Sequence, residues 1–540
     1  MLEKLLENWL DSASERSYQP VFVQLLSAQG YRVVHSTRHT ALEYGKDVLA
    51  IDAKGNGCAF QLKSHRRGKL GLTQFRDDIQ PQLVQLMTQP VVFPGFPVRP
   101  HRAYLVSNGY YDEEVQRAID DLNRMPYPSK VSLLSRGDLL AWCKKFGASL
   151  WPSELDDSRL LLELFLSDPR DVLPAKKLSQ LIGKILALES SEAKLSSKPA
   201  YYRSATSGAL LTGIATAGFA EAENHFAVAS AWTLLAVSLI AAGEKRQYKI
   251  DGASLKTLQL AETAIADALS QLWNEVTERK HLIEGNALSD HEVYGWRCTT
   301  LLGLLSCLAL LDETSLCLTE EARLELKQWL IQPHKNIDLW GEGAIASLVP
   351  WLVWLRKHDA TIRPDFEIAR LAKAVIARSQ HKSTSPLANP YYSYEEIVRF
   401  YLRLAKDGEI SSVGEEAAAG SSFTAEPLIH LLVRTNLKQT CRALWPDFTR
   451  ISHRVCLPDK KWEYCTLNIT SGADQTKIYP STYNWADLKA EAIQPRNATI
   501  PLELSARPWL LALWWQVAPY RYTSDSSHAF VEKAFPRWGT

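Results

Sequence analysis

The sequence carries almost no net charge, because 61 lysine and arginine residues offset 60 aspartate and glutamate residues and leave +1 at pH 7. This balance excludes a surface that is basic along the whole chain, so any phosphate-binding surface has to be a local patch. At 540 residues the chain is too long for one hydrophobic core. Its length predicts roughly two to four domains.

Cysteine is scarce, and the eight cysteines form no paired framework of the kind found in small secreted domains. The first residues also lack the pattern of a signal peptide. Both observations predict reduced thiols and a cytoplasmic location. The sequence contains no Walker A motif, so a nucleotide-driven step would have to come from a partner.

Long uncharged runs are rare. Two of them, 204–220 and 226–243, approach the length of a membrane-spanning helix. They are rich in alanine, threonine, serine and glycine, and they lack obvious aromatic and basic flanks. We therefore expect two tightly packed buried helices and no membrane association.

Three regions differ in their hydrophobic periodicity. Residues 1–152 alternate between helical and strand patterns, which predicts a mixed sheet flanked by helices. Residues 153–407 repeat apolar side chains at three-to-four spacing, which predicts a large all-α bundle or solenoid-like domain. Residues 423–540 open helically and then contain strand patterns in "WEYCTLNIT" and "TKIYPST". They predict a smaller mixed α+β region that could pack on the helical domain.

The stretch "EYGKDVLAIDAKGNGCAFQLKSH" (43–65) combines a hairpin pattern with chemically useful side chains. The turn around "KGNG" joins two short strands. Alternate residues of a strand share a face, so Gln61 and Lys63 lie together, opposite the apolar residues. Asp47 begins the partner strand beside them. Oxygen ligands of this kind hold Mg²⁺, and an adjacent lysine can stabilise charge on a phosphate. The alternative is an ordinary solvated hairpin.

The order helix, "GYRVV", "GKD", hairpin and "QLK" resembles the PD-(D/E)xK nuclease superfamily. It is most similar to the Mrr-like restriction endonucleases, in which glutamine often replaces the second acid. The resemblance covers only the first region, and it implies a restriction-endonuclease-like α/β fold. It further implies that Asp47 and Gln61 are metal ligands, helped by the Leu62 carbonyl, that Lys63 is the catalytic lysine, and that the cofactor is Mg²⁺ or Mn²⁺.

One position departs from the family pattern. Relatives commonly carry a glutamate on the first helix where this chain has Gln19. Glu15, one turn earlier, and Glu43, in the loop before Asp47, are the two carboxylates that could replace it. We favour Glu43 because it belongs to the same loop as Asp47. Without either carboxylate, metal binding would be weak and the domain would be catalytically degenerate.

The loop after Lys63, "SHRRGKLG", is basic. His65, Arg66, Arg67 and Lys69 would lie at the mouth of the site, where cations neutralise DNA phosphates. A plain exposed loop without a DNA contact is the alternative.

These features predict a metal-dependent DNA endonuclease with a helical region that senses a signal or recruits a partner. A nuclease domain joined to a long helical module resembles bacterial restriction and anti-phage defence effectors, by analogy of architecture. The expected partners are DNA and a protein, or a second copy of the chain, bound through the helical region. The alternative is a catalytically degenerate nuclease fold that binds nucleic acid as a scaffold in a multi-protein complex. Gln19 favours the alternative, and the Asp47, Gln61 and Lys63 set favours the enzyme.

Overall fold

The computed structural model describes residues 6–36, 46–146, 160–188, 197–279, 291–358, 364–407, 420–467, 474–493 and 500–535, apart from positions 8, 12, 66–67, 92, 94–95, 98–99, 162, 165, 333, 335–336 and 382. The chain forms two compact units. The first comprises Met1–Leu239 and Ile250–Asp267, and the second comprises Ile240–Lys249 and Ala268–Thr540.

The first unit contains a mixed sheet and its helices. Its described strands are β1 (Arg32–Ser36), β2 (Val48–Ile51), β3 (Gly57–Lys63), β4 (Lys69–Leu70), β5 (Arg102–Ser107), β6 (Tyr110–Tyr111) and β7 (Val131–Leu134). Its described helices are α1 (Glu15–Ala28), α2 (Leu72–Gln74), a π-helical turn (Phe75–Ile79), α3 (Gln80–Thr88), α4 (Glu113–Arg124), α5 (Arg136–Phe146), α6 (Ala175–Ile185) and α7 (Lys198–Glu221). Two further helices, α8 (His225–Arg246) and α9 (Gly252–Glu278), contribute residues to both units.

The main sheet has the strand order β1-β2-β3-β5-β7. The first three strands are antiparallel, with Val48 opposite Phe60, whereas β3, β5 and β7 are parallel, with Lys63 opposite Ser107. The predicted mixed sheet flanked by helices is therefore confirmed. Because β3 and β5 are parallel neighbours, their carboxyl ends meet at one edge of the sheet, where α/β proteins commonly bind ligands.

Both faces of β3 are packed. Phe60 lies on one face, with its ring centroid 5.4 Å from that of Phe22 in α1. Ala59 lies on the other face, in a core cluster with Phe75 and Leu83. Alternation along β3 therefore separates two buried layers, and Gln61 is only 1% exposed.

Helix α3 is preceded by a π-helical turn. The sequence predicts a kink at Pro81, which lacks an amide hydrogen for the helical ladder. Directly before it, the Gln80 amide donates to the Phe75 carbonyl, a bond that spans five residues instead of four. The irregularity therefore occupies the turn ahead of the proline.

Helix α7 packs closely along α1. A β-carbon at Gly213 would lie 2.5 Å from a methyl carbon of Val21, so only glycine allows this approach. The Ser14 amide donates to Glu221 at 3.1 Å, and Gln24 donates to Thr257 of α9 at 3.3 Å. Because of this packing, the first unit extends well past residue 152, where the sequence predicts a domain boundary.

The second unit is largely helical. Its described helices are α10 (His291–Ser315), α11 (Glu320–Ile331), a 3-10 turn (Glu342–Ala344), α12 (Ile345–His358), α13 (Pro364–Arg378), α14 (Tyr394–Asp407), α15 (Ala425–Arg434), α16 (Lys438–Phe448), a 3-10 turn (Lys461–Cys465), α17 (Trp485–Ile493), α18 (Leu502–Ser505), α19 (Pro508–Val517), a 3-10 turn (Pro519–Arg521) and α20 (Ser524–Ala534).

A small sheet lies among the C-terminal helices. It has the strand order β10-β9-β8, with β8 at Ser421–Ser422, β9 at Ser452–Cys456 and β10 at Asp474–Lys477. The smaller mixed α+β region is therefore confirmed in outline. The strand predicted in "WEYCTLNIT" (462–470) is wrong for 462–465, which belong to the 3-10 turn Lys461–Cys465 with three consecutive buried residues, and 468–470 lie outside the described residues. A strand buried on one face would bury alternate residues instead.

Two helices are long and apolar enough to cross a membrane by length and composition alone. They are His225–Arg246 and Tyr294–Ser315, and 89% and 72% of their most apolar windows are buried inside the structure. The first contains the predicted run 226–243. Core helices of soluble proteins pass the same test, so these segments are weak support for a membrane role.

Candidate active site at the carboxyl end of strand β3

Asp47 is held against β3 by two hydrogen bonds. Its amide donates to the Phe60 carbonyl at 2.9 Å, which continues the β2–β3 ladder. Its Oδ2 accepts the Leu62 amide at 2.6 Å. In an antiparallel pair the N–H and C=O of one residue point to the same neighbouring strand, so the Leu62 carbonyl faces the Asp47 side. The hairpin therefore places the Asp47 carboxylate beside Leu62, the residue that follows Gln61.

Gln61 is a buried amide with one hydrogen bond. Its Nε2 donates to Oε1 of Gln82 in α3. Its Oε1 is fully buried and has no hydrogen-bond partner among the residues that the structure describes. A buried acceptor left unsatisfied costs about 1–3 kcal/mol. The Gln61 Oε1 atom is therefore available to bind a cation or to accept a hydrogen bond.

Lys63, at the last position of β3, meets Glu15 from α1. The Lys63 ammonium lies 3.8 Å from Glu15 Oε1, and the two side chains are 21% and 32% exposed. The same Glu15 oxygen accepts the Ser64 amide at 3.3 Å. Glu15 is therefore positioned by the strand end as well as by its own helix.

Tyr18 connects the ends of the two parallel strands. Its hydroxyl lies 3.1 Å from the Lys63 carbonyl and 3.4 Å from the Val106 carbonyl, both of which are acceptors. Burial raises the pKa of Tyr18 well above its ordinary value, and the charges of Glu15 and Asp47 raise it further. The Tyr18 hydroxyl therefore remains neutral and acts as a hydrogen-bond donor, close enough to Glu15 and Asp47 to respond to their charges.

The basic loop is only partly within the described residues. Lys69 is exposed at the start of β4, whereas Arg66 and Arg67 lie outside the described residues. His65 is buried: its amide donates to Asn108 Oδ1 at 2.8 Å, and its Nδ1 lies 3.0 Å from Ser107 Oγ. The expectation that His65 is exposed at the mouth of the site is therefore wrong, because this network holds it inside.

The electrostatics of His65 also differ from those of a phosphate-binding cation. Burial, and then the charge of Lys63, lower the pKa of His65. Its imidazole is therefore neutral near pH 7 and lies close enough to Lys63 to respond to that charge.

Of the two carboxylates that could replace the glutamate expected at Gln19, the structure describes one. Glu43, which the sequence favours slightly, lies outside the described residues. Glu15 is described and reaches Lys63. Gln19, one turn further along the same helix, is buried. Within the described part of the chain, Glu15 is thus the carboxylate that stands beside the catalytic candidate.

Two residues of the site, Gln82 and Tyr18, were not predicted from the sequence. Gln82 lies on a helix whose pattern is dominated by apolar core positions, and no local signal distinguishes it. Tyr18 has a weak signal, since it is three residues after Glu15 and shares its helix face. Both depend on tertiary packing that no short motif records.

No protein-family model matches the chain, and no curated protein or solved structure is significantly similar to it. The chemical properties of the site therefore have to be inferred from its own donors. Asp47 and Glu15 supply carboxylates, Gln61 and Leu62 supply neutral oxygens, and Lys63 supplies a cation. A hard divalent cation prefers oxygen donors of this kind, and Gln61 Oε1, which lacks a hydrogen-bond partner among the described residues, fits such an ion.

Proposed function

We propose that the first unit is a metal-dependent DNA endonuclease with Mg²⁺ or Mn²⁺ as its cofactor. The observation that supports the proposal is that four polar residues lie on, or contact, the last three residues of β3. Asp47 is fixed to the Leu62 amide, Gln61 keeps a buried oxygen without a described hydrogen bond, and Lys63 meets Glu15.

The metal would be held by the Asp47 carboxylate, Gln61 Oε1 and the Leu62 carbonyl. When bound, such an ion polarises a phosphate and lowers the pKa of a coordinated water. One carboxylate and two neutral oxygens leave much of the ion's charge uncompensated by the protein. A phosphate of the substrate would supply the remaining negative charge, so we expect DNA and metal to bind cooperatively.

Lys63 would donate hydrogen bonds from its Nζ to the attacking water and to the scissile phosphate, where negative charge develops. Glu15 would keep the ammonium at the strand end before DNA arrives. Tyr18, neutral and bonded to the strand-end carbonyls, would fix the spacing between β3 and α1. Each role uses a group already oriented by the fold.

The sheet topology agrees with this proposal. A helix, an antiparallel β1–β2–β3 meander and a parallel β5 after an intervening helix are the order that the resemblance to PD-(D/E)xK nucleases implies. The helical remainder would sense a signal or bind a partner, as in bacterial restriction and anti-phage defence effectors. None of the eight cysteines, all of which are described, forms a disulfide, in agreement with the proposed cytoplasmic location.

A cleavage assay on the full chain tests the proposal. Supercoiled plasmid and linear duplex DNA are incubated with the protein and Mg²⁺, Mn²⁺ or a chelator. We expect nicking or cutting only with a divalent metal, and none from Asp47→Ala. Lys54→Ala, in the exposed hairpin turn, is the matched control and should cut like the unaltered chain.

Binding without cutting would support the alternative function. If neither DNA form is cut with either metal while DNA is retained in a gel-shift assay, the enzyme proposal fails. The domain would then be a nucleic-acid-binding scaffold. Absence of both activities would reject both functions.

A further inference from the structure

The second unit contains a cluster of metal-ligand side chains away from β3. Glu426 and His430 lie one turn apart on α15, and Glu491 comes from α17. One ligand atom from each of the three residues lies within 4.8 Å of the others. Glu426 and His430 are buried, and Glu491 is partly buried. The cluster shares no residue with the candidate nuclease site.

The two carboxylates of this cluster share one ammonium. Lys477 pairs with both Glu426 and Glu491, whose side chains are 2% and 10% exposed. His430 Nε2 lies 4.0 Å from Glu426 Oε1. The protein therefore places two acidic side chains together where little solvent reaches.

Lys477 only partly compensates these charges. Its ammonium lies 2.9 Å from Glu426 Oε1 and also pairs with Glu491. Tyr479 donates to the same Glu426 oxygen at 2.7 Å. In contrast, Glu426 Oε2 is fully buried and has no hydrogen-bond partner within the described part of the chain. A buried carboxylate oxygen without a donor is costly, and a cation bound by this carboxylate would offset that cost.

The surroundings of Lys477 allow its ammonium to move away from Glu426 and Glu491. Its side chain is 30% exposed, and it lines an open cleft of about 530 Å³ together with Tyr479, Tyr483 and Asp487. The ammonium can therefore move toward solvent without crossing the core. The same cleft leaves room for water or another ligand next to Glu491, which also lines it.

We propose that Glu426, His430 and Glu491 bind a divalent transition-metal ion, and that Lys477 occupies the position of this cation when no metal is present. Imidazole and carboxylate donors together suit Zn²⁺, Mn²⁺ or Fe²⁺ better than Mg²⁺, which prefers oxygen ligands alone. Binding replaces the ammonium by an ion of twice its charge and supplies a partner for Glu426 Oε2.

Metal titration of the full chain tests this proposal. The Asp47→Ala protein, which lacks a ligand of the β3 site, is dialysed against a chelator and titrated with Zn²⁺ and Mn²⁺ by calorimetry. We expect one site, weakened at least about tenfold by His430→Ala. Lys477→Met should tighten it, because the competing cation is gone. His358→Ala, which removes a histidine paired with Glu313 elsewhere in the unit, should leave it unchanged.

Co²⁺ provides a readout that does not depend on affinity alone. A bound ion should show d–d absorption that His430→Ala alters and His358→Ala does not. Far-ultraviolet circular dichroism checks that each variant is folded, and His430→Gln replaces His430→Ala if the latter is not. Absence of a site in the Asp47→Ala protein, or binding that folded His430 variants retain, would overturn the proposal. So would weaker binding by Lys477→Met.

Discussion

The ammonium of Lys63 is partly exposed and faces the Glu15 carboxylate. Removing the Lys63 side chain therefore tests function with little effect on the core. The Lys63 side chain is 21% exposed, so truncation leaves no large void in the core. We expect Lys63→Ala to lower the single-turnover cleavage rate about a hundredfold to a thousandfold, because a positioned charge-stabilising group is lost. Circular dichroism and DNA binding should not change. Cleavage at the original rate would remove Lys63 from the mechanism.

Gln61 gives a prediction about the metal itself. Gln61→Glu places a carboxylate at a position that is 1% exposed. Without metal, the buried charge should lower the free energy of unfolding, by about 1–3 kcal/mol. With Mg²⁺, the new ligand should bind more strongly, so the metal should raise the melting temperature more than it does for the unaltered chain. Equal Mg²⁺-induced shifts in the two proteins would argue against a metal at Gln61.

Strand alternation and the hairpin signal predict that Asp47, Gln61 and Lys63 lie together, and in the structure the Asp47 carboxylate accepts the amide of Leu62, which lies between the other two in sequence. These patterns do not predict the partners of the three residues. Glu15 and Gln82 reach the site through helix packing, and the burial of His65 depends on Ser107 and Asn108, which are more than 40 positions away. Contacts of this range are set by the tertiary fold and leave no local pattern.

At the level of elements, the contact between α1 and α7 depends on Gly213. Gly213→Ala would place a methyl group 2.5 Å from Val21. We expect it to lower the free energy of unfolding by about 1–3 kcal/mol, more than the roughly 1 kcal/mol that alanine contributes to a helix. In a Val21→Ala background the same substitution should be neutral or stabilising, since the opposing methyl groups are gone.

Chemical denaturation of the four proteins in this double-mutant cycle gives the coupling energy directly. An equal cost of Gly213→Ala in both backgrounds would show that the two helices do not meet at this point. Cleavage by the same variants reports whether α7 also positions Glu15.

Elements with a strong periodic pattern were predicted well. The stretch "YDEEVQRAIDDLNR" has the apolar spacing typical of an amphipathic helix, and the helix forms as Glu113–Arg124, with Asp112 accepting the Glu113 amide at its start. Elements in the aromatic C-terminal region were predicted less well, because closely spaced aromatic residues fit a strand and a buried turn equally. The 3-10 turn at Lys461–Cys465 is such a case.

For the whole molecule, the switch from mixed to helical periodicity near residue 152 comes after the last strand of the main sheet. It does not coincide with the division into compact units, which falls at Leu239 and Asp267. Periodicity reports which face of a helix is buried but not which partner buries it. The packing of α7 on α1 was therefore invisible in the sequence.

Acid should destabilise the second unit through His453. Burial lowers the pKa of this histidine to about 4, with opposing contributions from Glu426, which raises it, and from Lys477 and His430, which lower it. Its pKa in the unfolded chain is near 6.5, so between these values the unfolded state binds more protons and stability falls as pH falls. The loss should reach about 3 kcal/mol by pH 4.

Urea denaturation followed by tryptophan fluorescence at pH 7, 6, 5 and 4 measures this loss. His453→Phe, which keeps an aromatic ring next to Phe448, should flatten the dependence between pH 6.5 and 4. An unchanged slope in this variant would assign the acid sensitivity to other groups.

The packing of α7 along α1 has a practical consequence for producing parts of this protein. A recombinant fragment ending at residue 152 would retain β1 to β7 but leave Val21 and its neighbours on α1 without the helix that covers them. We expect such a fragment to aggregate on expression, as exposed apolar helix faces commonly do. A fragment ending after residue 267 keeps α7 and the Gln24–Thr257 hydrogen bond. It is the better starting point for growing crystals of the first unit.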